Sequence, residues 1–229
     1  MIGWLILMLR KLLSRSPTTV RILGGPFKGA KMFLNPANSK RKIFGLYEHV
    51  LNNWITKTIV GKNFVFDVGG NTGYDTYGFA HLLLKQKTPA PLVIAFEPES
   101  FPELQKPKIW KEYTDCRIEI VKKYVGKSSD GMVISLDDAY ETYIYDKNSK
   151  GIIKIDIEGA EVEALAGAEE LLNNPAHEWL IEIHGKELIP DVARFFVEHK
   201  RPFLIKELEP LPIIGRESRP VHTTWLVTI

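Results

Sequence analysis

The stretch FVFDVGGNTGY, residues 64–74, decides the fold. Its first five residues are apolar apart from Asp67, and glycines follow at once, which predicts a buried strand that ends in a tight turn. Residues 74–84 then have the spacing of a helix. A strand, a glycine turn and a helix begin a dinucleotide-type half-fold, in which glycine lets the backbone approach a ligand that larger side chains would exclude. The sequence therefore predicts a nucleotide-like ligand at this turn.

The spacing within the turn distinguishes between nucleotide ligands. Dinucleotide sites have the pattern G-x-G-x-x-G, with a pyrophosphate at the helix N-terminus. Here Asp67, Gly69, Asn71 and Gly73 alternate instead. A carboxylate at the end of the strand repels a pyrophosphate and attracts a ligand with a cationic centre and an ammonium group, such as S-adenosylmethionine. We expect these four residues to contact such a ligand; the alternative is a structural turn without a ligand.

A second apolar run, residues 92–96, ends in an acidic residue, Glu97. In nucleotide-binding α/β folds, an acidic residue about 20 residues after the glycine turn accepts hydrogen bonds from ribose hydroxyls. We expect Glu97 to bind the ribose in this way, and the alternative is that it only caps a loop.

Three further blocks complete a family pattern: SLDD at 135–138, IIKIDIEGAEVEALAGA at 152–168 and LIEIHG at 180–185. Together with FDVGGNTGYDT and AFEPES, their order and spacing resemble those of the FkbM family of S-adenosylmethionine-dependent methyltransferases. The resemblance covers about residues 45 to 185, and KIDIEGAE is its most discriminating part. It implies an α/β, Rossmann-like class I methyltransferase fold, with a mostly parallel seven-stranded sheet, helices on both faces and an antiparallel late strand.

The resemblance also implies cofactor contacts outside the glycine turn. In similar proteins a Tyr-Glu pair opens a helix near the cofactor, so we expect Glu48 there, in a helix over residues 45–59. The alternative is an exposed acid that stabilises the helix start. Tyr124 follows the third predicted strand, residues 117–121, in the segment that lies beside the adenine in similar proteins. The alanine-leucine-glycine sequence that is usual in that segment of the family is absent here. Asp156, at the end of the fourth strand, is expected to contact the cofactor as well.

The ends of the fourth and fifth predicted strands carry the candidate catalytic residues. An alcohol is a poor nucleophile until its proton leaves, so methyl transfer to a hydroxyl benefits from a base. His184 is our first choice because imidazole titrates near neutral pH; a structural histidine is the alternative. Asp156 and Glu158 are expected to position the reactants, with Glu182 also at a strand end. Lys154 shares a strand face with Asp156, which allows a charge pair.

Glu161 begins the helix after the fourth strand and is placed to orient Asp156 and Glu158. Acidic residues beside a histidine can also hold Mg²⁺ or Ca²⁺. We expect no metal, because no aspartate-asparagine pair follows the fourth strand.

The composition is that of an ordinary globular chain, with 229 residues, 45% hydrophobic and 25% charged, and a net charge of +2. The single cysteine, Cys116, excludes an intramolecular disulfide and a cysteine-based zinc site. We divide the chain into an apolar and basic N-terminal segment, 1–16, a hairpin and helix, 17–60, and a methyltransferase domain, 61–229.

The N-terminal segment has an apolar run, residues 2–9, followed by basic residues. The run is shorter than the ~20 residues that span a bilayer, and its charges follow the apolar part, unlike those of a secretory signal. Packing on the body or disorder is favoured, and peripheral membrane contact through residues 1–15 is the alternative. We expect a cytoplasmic location, at the membrane periphery if that contact forms.

Three functions compete. The resemblance implies O-methylation of a hydroxyl on a small molecule or glycan. The basic N-terminal fifth suggests nucleic-acid methylation, but the chain lacks the clustered basic and aromatic surface of nucleic-acid binders, so nucleic acid is not the expected partner. The third is a non-catalytic Rossmann-like binding or scaffold protein. A dehydrogenase is a weaker fourth, distinguished by a preference for NAD.

Overall fold

The structure is a computed structural model that describes residues 15–105, 109, 112–212, 214, 215, 217, 219 and 223–229. The predictions made for residues 1–14 lie outside the described residues. No helix in the described part of the chain is both long enough and apolar enough to cross a bilayer.

The N-terminal part forms a hairpin and short helices. Strands β1 (Thr18–Arg21) and β2 (Lys31–Leu34) pair antiparallel. Helix α1 (Lys40–Phe44) follows, then a 3-10 turn (His49–Leu51) and α2 (Asn52–Thr58).

The single helix predicted over residues 45–59 is wrong, because the backbone leaves the helical region twice. Gly45 ends α1 with φ 69°, and Glu48 has φ 46°, a left-handed conformation that interrupts a right-handed helix. Helix α2 therefore begins only at Asn52.

A seven-stranded sheet forms the centre of the molecule. The remaining strands are β3 (Phe64–Val68), β4 (Leu92–Phe96), β5 (Arg117–Val121), β6 (Tyr124–Val125), β7 (Val133–Ile134), β8 (Gly151–Ile155), β9 (Glu178–His184), β10 (Phe203–Glu207) and β11 (Thr223–Thr228). The sheet has the order β5-β4-β3-β8-β9-β11-β10, and β6 pairs with β7 apart from it. Strand β11 runs antiparallel to both of its neighbours, β9 and β10, and the other neighbouring pairs in the sheet are parallel. The predicted sheet, including its antiparallel late strand, is confirmed.

Helices cover both faces of this sheet. They are α3 (Tyr74–Lys85), α4 (Phe101–Gln105), α5 (Leu136–Tyr143), α6 (Glu161–Ala166), α7 (Glu169–Asn173) and α8 (Ile189–Glu198). One apolar layer joins the sheet to α2, α3 and α4, and the other joins it to α5 to α8. Because strand side chains alternate, Phe64 and Phe66 face the second layer while Val65 faces the first. Asp67 shares the face of Val65 and points towards α3.

Candidate functional site

A cavity opens at the carboxyl ends of β3, β4 and β8, the edge at which open α/β sheets bind ligands. It is lined by Val68, Gly69, Asn71, Phe96, Glu97, Pro98, Glu99, Ser100, Lys123, Tyr124, Val125, Asp156, Ile157, Glu158 and Ala160. Six of the residues predicted from sequence therefore border one space: Gly69, Asn71, Glu97, Tyr124, Asp156 and Glu158.

The backbone of the turn after β3 passes very close to the backbone at the end of β8. Gly69 has φ +83°, and a Cβ there would lie 1.8 Å from the carbonyl oxygen of Asp156. No residue other than glycine fits this contact. Asn71 also has a left-handed φ, 45°, a conformation that asparagine tolerates better than most residues. The turn thus runs directly against the end of β8.

Glu97 fixes the two loops that form one wall of the cavity. Its Oε2 accepts a 2.7 Å hydrogen bond from the backbone N–H of Asn71, and its Oε1 accepts 2.8 Å bonds from the N–H groups of Glu99 and Ser100. The carboxylate is 7% exposed. An ionised carboxylate has about four acceptor positions, so three backbone donors leave capacity for a ligand hydroxyl.

Tyr124 stands at the rim of the cavity. It is half exposed, and its hydroxyl donates a 3.3 Å hydrogen bond to Oε1 of Glu99. Its backbone is held by the pairing of β6 with β7. A ring in this position offers a flat apolar surface to a ligand in the cavity.

Asp67 lies beneath the cavity and does not border it. The side chain is fully buried, and its Oδ2 accepts a 2.6 Å hydrogen bond from Thr76. Its Oδ1 lies 3.0 Å from the ammonium group of Lys154. Lys154 in turn contacts Asp75 at 3.6 Å and Asp156 at 3.4 Å, so the predicted charge pair is present within a larger group.

Burial and charge oppose each other in this group. Burial alone lowers the pKa of Lys154, but the carboxylates of Asp67, Asp156 and Asp75 raise it above its ordinary value. Burial raises the pKa of Asp75 to about 7, and Lys154 opposes that shift. Lys154 therefore stays charged and holds the ends of β3, β8 and α3 together.

His184 and Asp156 meet beside the cavity. Nδ1 of His184 lies 2.6 Å from Oε1 of Glu161, and Nε2 lies 3.5 Å from Oδ1 of Asp156. Burial alone lowers the pKa of His184, but the hydrogen bond to Glu161 and the charge of Asp156 raise it above its ordinary value. Glu161 thus orients the imidazole, whereas the sequence led us to expect that it would orient Asp156 and Glu158.

A second charged group, centred on Arg219, adjoins the first. The guanidinium donates to Glu182, to Glu48 at 2.7 Å and to Glu217 at 3.1 Å. It also lies 5.2 Å from the ring centre of Tyr47, within the range of a cation–π contact. Burial and neighbouring carboxylates raise the pKa of Glu182, and Arg219 opposes that shift. Glu182 also approaches Nε2 of His184, at 3.7 Å.

Four of the predicted residues do not border the cavity. Asp67 lies below it, and His184 and Glu48 belong to the charged groups beside it. Gly73 immediately precedes α3 as its N-cap, with φ +89°, and borders a different cavity, with Met32 and Tyr77. These placements leave the assigned roles as predictions.

Sequence reasoning missed Arg219 and Glu217. Both belong to a proline-rich stretch between β10 and β11, and nothing in the spacing of the chain marks either residue. Their partners, Glu48 and Glu182, come from distant parts of the chain, so only the folded arrangement shows the contact.

Comparison with known proteins supports the resemblance. A sequence model of the family described as Methyltransferase FkbM domain matches residues 130–203. The solved structure of methyltransferase FkbM from Methylobacillus flagellatus KT is similar, with a TM-score of 0.53 and 22% identity over 74% of this chain and 44% of that chain. This chain thus spans less than half of that protein. The predicted family resemblance is confirmed.

More distant structures also match. Precorrin-6y C5,15-methyltransferase from Geobacter metallireducens GS-15 has a TM-score of 0.46 and 12% identity over 77% of this chain and 88% of that chain. TrmK of M. capricolum, solved in complex with S-adenosyl-homocysteine, has a TM-score of 0.43 and 16% identity over 77% of this chain and 65% of that chain. No curated protein matches the sequence.

Proposed function

The chain carries a match to the FkbM methyltransferase domain and shares the fold of a solved FkbM methyltransferase, and from this premise we propose that it transfers a methyl group from S-adenosylmethionine to a hydroxyl of a small molecule or glycan. The observation that carries the proposal is the position of Asp156. It borders the cavity at the strand ends and contacts His184 in the neighbouring charged group. Asp156 thus adjoins both the cavity, which we assign to the cofactor, and the side chain of His184, beside which we assign the acceptor.

The cavity offers each part of the cofactor a chemically suitable partner. Glu97 has acceptor capacity for a ribose hydroxyl, and Tyr124 offers its ring to the adenine. Gly69 and Asn71 border the cavity where the methionine part would lie. When bound, the cofactor supplies an electrophilic methyl group on a positively charged sulfur, and the carboxylate of Asp156 stabilises positive charge nearby.

The chain's own residues would prepare the acceptor. Binding the hydroxyl next to Asp156 and His184 aligns its oxygen for in-line attack, which is the largest part of catalysis for an already reactive donor. The oxygen forms a bond to the methyl carbon as the carbon–sulfur bond breaks, and the hydroxyl proton must leave. The sequence-based hypothesis makes Nε2 of His184 its acceptor, with the imidazole held by Glu161.

Calorimetric titration of the purified chain tests the cofactor assignment. We expect micromolar binding of S-adenosylmethionine and S-adenosylhomocysteine and none of NAD. Glu97→Gln should weaken binding of both about 10-fold or more, because it removes the charge that accepts the ribose hydroxyl and places an amide N–H against that of Asn71.

Glu119→Gln is the matched control for Glu97→Gln. Glu119 is a glutamate on β5, the strand next to β4, and it pairs only at the surface with Arg117 at 2.8 Å. This variant should bind like the wild type. Equal binding by Glu97→Gln, or tighter binding of NAD than of S-adenosylmethionine, would contradict the proposal.

A further inference from the structure

Three side chains that carry lone pairs converge beside the cofactor cavity. Asp156, Glu182 and His184 each present one ligand atom, and these atoms all lie within 4.8 Å of one another. They stand at or near the ends of β8 and β9, which are adjacent parallel strands, so the sheet fixes their backbones. We propose that this trio binds a divalent metal cation, which in turn holds oxygen atoms of the methyl acceptor.

The protonation of His184 follows from its partner Glu161. A carboxylate only accepts hydrogen bonds, so the 2.6 Å contact between Oε1 of Glu161 and Nδ1 requires a proton on Nδ1. In the neutral form of this tautomer, Nε2 carries the lone pair that a metal ion would bind. Metal-bound histidines commonly donate their other ring N–H to a carboxylate in this way, which fixes the tautomer and the ring orientation.

The distances favour a metal cation over a proton on Nε2. Nε2 lies 3.5 Å from Oδ1 of Asp156 and 3.7 Å from Oε1 of Glu182. Both exceed the roughly 2.7–3.2 Å of an N–H···O hydrogen bond, so a proton on Nε2 would have no well-placed acceptor. A cation with ligand distances of about 2.0–2.2 Å places neighbouring ligand atoms about 3–4 Å apart. The separations of Nε2 from the two carboxylate oxygens, 3.5 and 3.7 Å, fall in that range.

More acidic than basic side chains surround the trio, which favours the binding of a cation. Within the described part of the chain, only Lys154 and Arg219 supply permanent positive charge in direct contact with this group. The carboxylates that contact Lys154, Arg219 or His184 are Glu48, Asp67, Asp75, Asp156, Glu161, Glu182 and Glu217. These seven acidic groups outnumber the two permanent cations, an imbalance that a bound divalent cation would reduce.

A second observation, independent of the trio, points to a missing partner. Oε2 of Glu161 is buried and has no hydrogen-bond partner among the residues that the structure describes. The other oxygen, Oε1, accepts from both His184 and the N–H of Gly159. A fully buried carboxylate keeps a bare oxygen at a cost of about 1–3 kcal/mol or more unless positive charge lies nearby. A cation on Nε2 of His184 would lie across the imidazole from Glu161 and would offset the charge of this carboxylate through the ring, without contacting Oε2.

A bound cation also indicates the class of acceptor. Two carboxylates and one imidazole leave coordination positions open on a six-coordinate ion such as Mn²⁺ or Mg²⁺. An acceptor with two neighbouring oxygens, such as a vicinal diol or a hydroxy acid, fills them. The cation lowers the pKa of the bound hydroxyl, whose proton passes to solvent water before the oxygen attacks the methyl carbon. His184 is then a ligand, and the base hypothesis for this residue is replaced.

The chemical consequence rests on the proposed function, but the test of metal binding does not. We would titrate the full chain, freed of metal with a chelator, with Mn²⁺ alone and follow free Mn²⁺ by electron paramagnetic resonance. We expect one tight equivalent of Mn²⁺. Asp156→Asn and His184→Gln should each weaken its binding 10-fold or more. Asp191→Asn, an exposed carboxylate on α8 that pairs only with Arg194, is the control and should leave it unchanged.

A measurement on the unaltered protein guards against variants that fail to fold. Bound Mn²⁺ broadens nuclear resonances close to it, so one equivalent should remove the ring signals of His184 before those of the other five of the six histidines. Absence of binding up to millimolar Mn²⁺, binding unchanged in both variants, or broadening of another histidine first would overturn the proposal. Loss of S-adenosylmethionine binding with intact Mn²⁺ binding would instead contradict only the cofactor assignment.

Discussion

At the scale of single residues, His177 shows how the fold treats a titratable group outside the site. Its side chain is fully buried, with its ring edge-on to Phe64 and Tyr140. Nδ1 accepts a 3.2 Å hydrogen bond from the N–H of Gly151 at the start of β8. Burial, with smaller contributions from the cations Lys62 and Arg201, lowers the pKa of His177 to about 4. The histidine is therefore neutral in the folded protein at neutral pH.

This lowered pKa predicts a loss of stability in mild acid. The unfolded chain takes up a proton at His177 near pH 6.5, whereas the folded protein does so only near pH 4. Since the unfolded state binds more protons between these values, stability falls as the pH decreases from about 6.5 to 4, by up to about 3 kcal/mol. Urea unfolding at pH 7 and pH 5 would measure the loss.

The control for this prediction is His177→Asn, whose amide oxygen can accept the same N–H but cannot titrate. The variant should lose clearly less stability than the wild type between pH 7 and pH 5. Equal losses would show that other groups cause the acid sensitivity. Sequence alone did not single out His177, because the apolar rings that desolvate it come from β3 and α5.

At the scale of elements, the turn between β3 and α3 carries the sharpest packing constraint. Gly69→Ala would place a methyl group 1.8 Å from the carbonyl oxygen of Asp156 in a backbone conformation unfavourable to alanine. We expect a loss of about 3 kcal/mol or more in the free energy of unfolding, from strain and overpacking together. Cofactor binding should weaken as well, because the turn and the end of β8 must separate.

The variant Gly61→Ala measures the cost of backbone strain without the cost of overpacking. Gly61 has a similar φ, +73°, but a Cβ there meets nothing within 4 Å. Its cost should be limited to about 1 kcal/mol, with cofactor binding unchanged. If chemical denaturation gave the two variants equal stability, the close contact between the turn and β8 would not be a significant constraint.

Local sequence patterns were sufficient to predict the strands of the sheet, but not all of the segments that connect them. The strand over residues 117–121 and the helix starting at Tyr74 occur as predicted, because buried apolar runs and glycine turns are local signals. The helix expected over residues 45–59 failed at Glu48. Its left-handed backbone is accompanied by contacts with Arg219 and Glu217, which no local pattern encodes.

At the scale of the whole molecule, Arg219 connects the late part of the chain to the site. Its guanidinium joins Glu48, Glu182 and Glu217. Arg219→Gln should lower the free energy of unfolding by about 2–3 kcal/mol, because charged hydrogen bonds in a largely buried group are lost. Hydrogen exchange should accelerate around Glu48 and across residues 208–212 while β3 and β8 stay protected.

Arg194→Gln provides the comparison for Arg219→Gln. Arg194 pairs with Asp191 and Glu198 on the exposed face of α8, where such pairs contribute about 0.5 kcal/mol or less. Similar small effects for both variants would mean that Arg219 does not hold the late segment in place.

In the site, too, residues marked by a local sequence pattern could be predicted, whereas contacts between distant parts of the chain could not. Six of the residues that border the cavity were predicted from the sequence. His184 and Glu161 were also singled out, but their contact with each other was not predicted. The prediction that no metal binds was based only on the sequence that follows the fourth predicted strand. The convergent ligand atoms come from two strands, and their approach depends on the pairing of β8 with β9. Arg219 reaches the site only through the tertiary course of the chain.

The insertion of β11 between β9 and β10 affects how this protein folds during synthesis. A nascent chain that has emerged as far as Glu207 has made six strands of the sheet but can pair only five, since β10 contacts the sheet only through β11. Until Thr223–Thr228 emerges, β9 keeps an open edge, which is a template for pairing with other chains. At about 5–20 residues per second, that exposure lasts seconds. Translation speed and holding chaperones should therefore affect the yield of this protein.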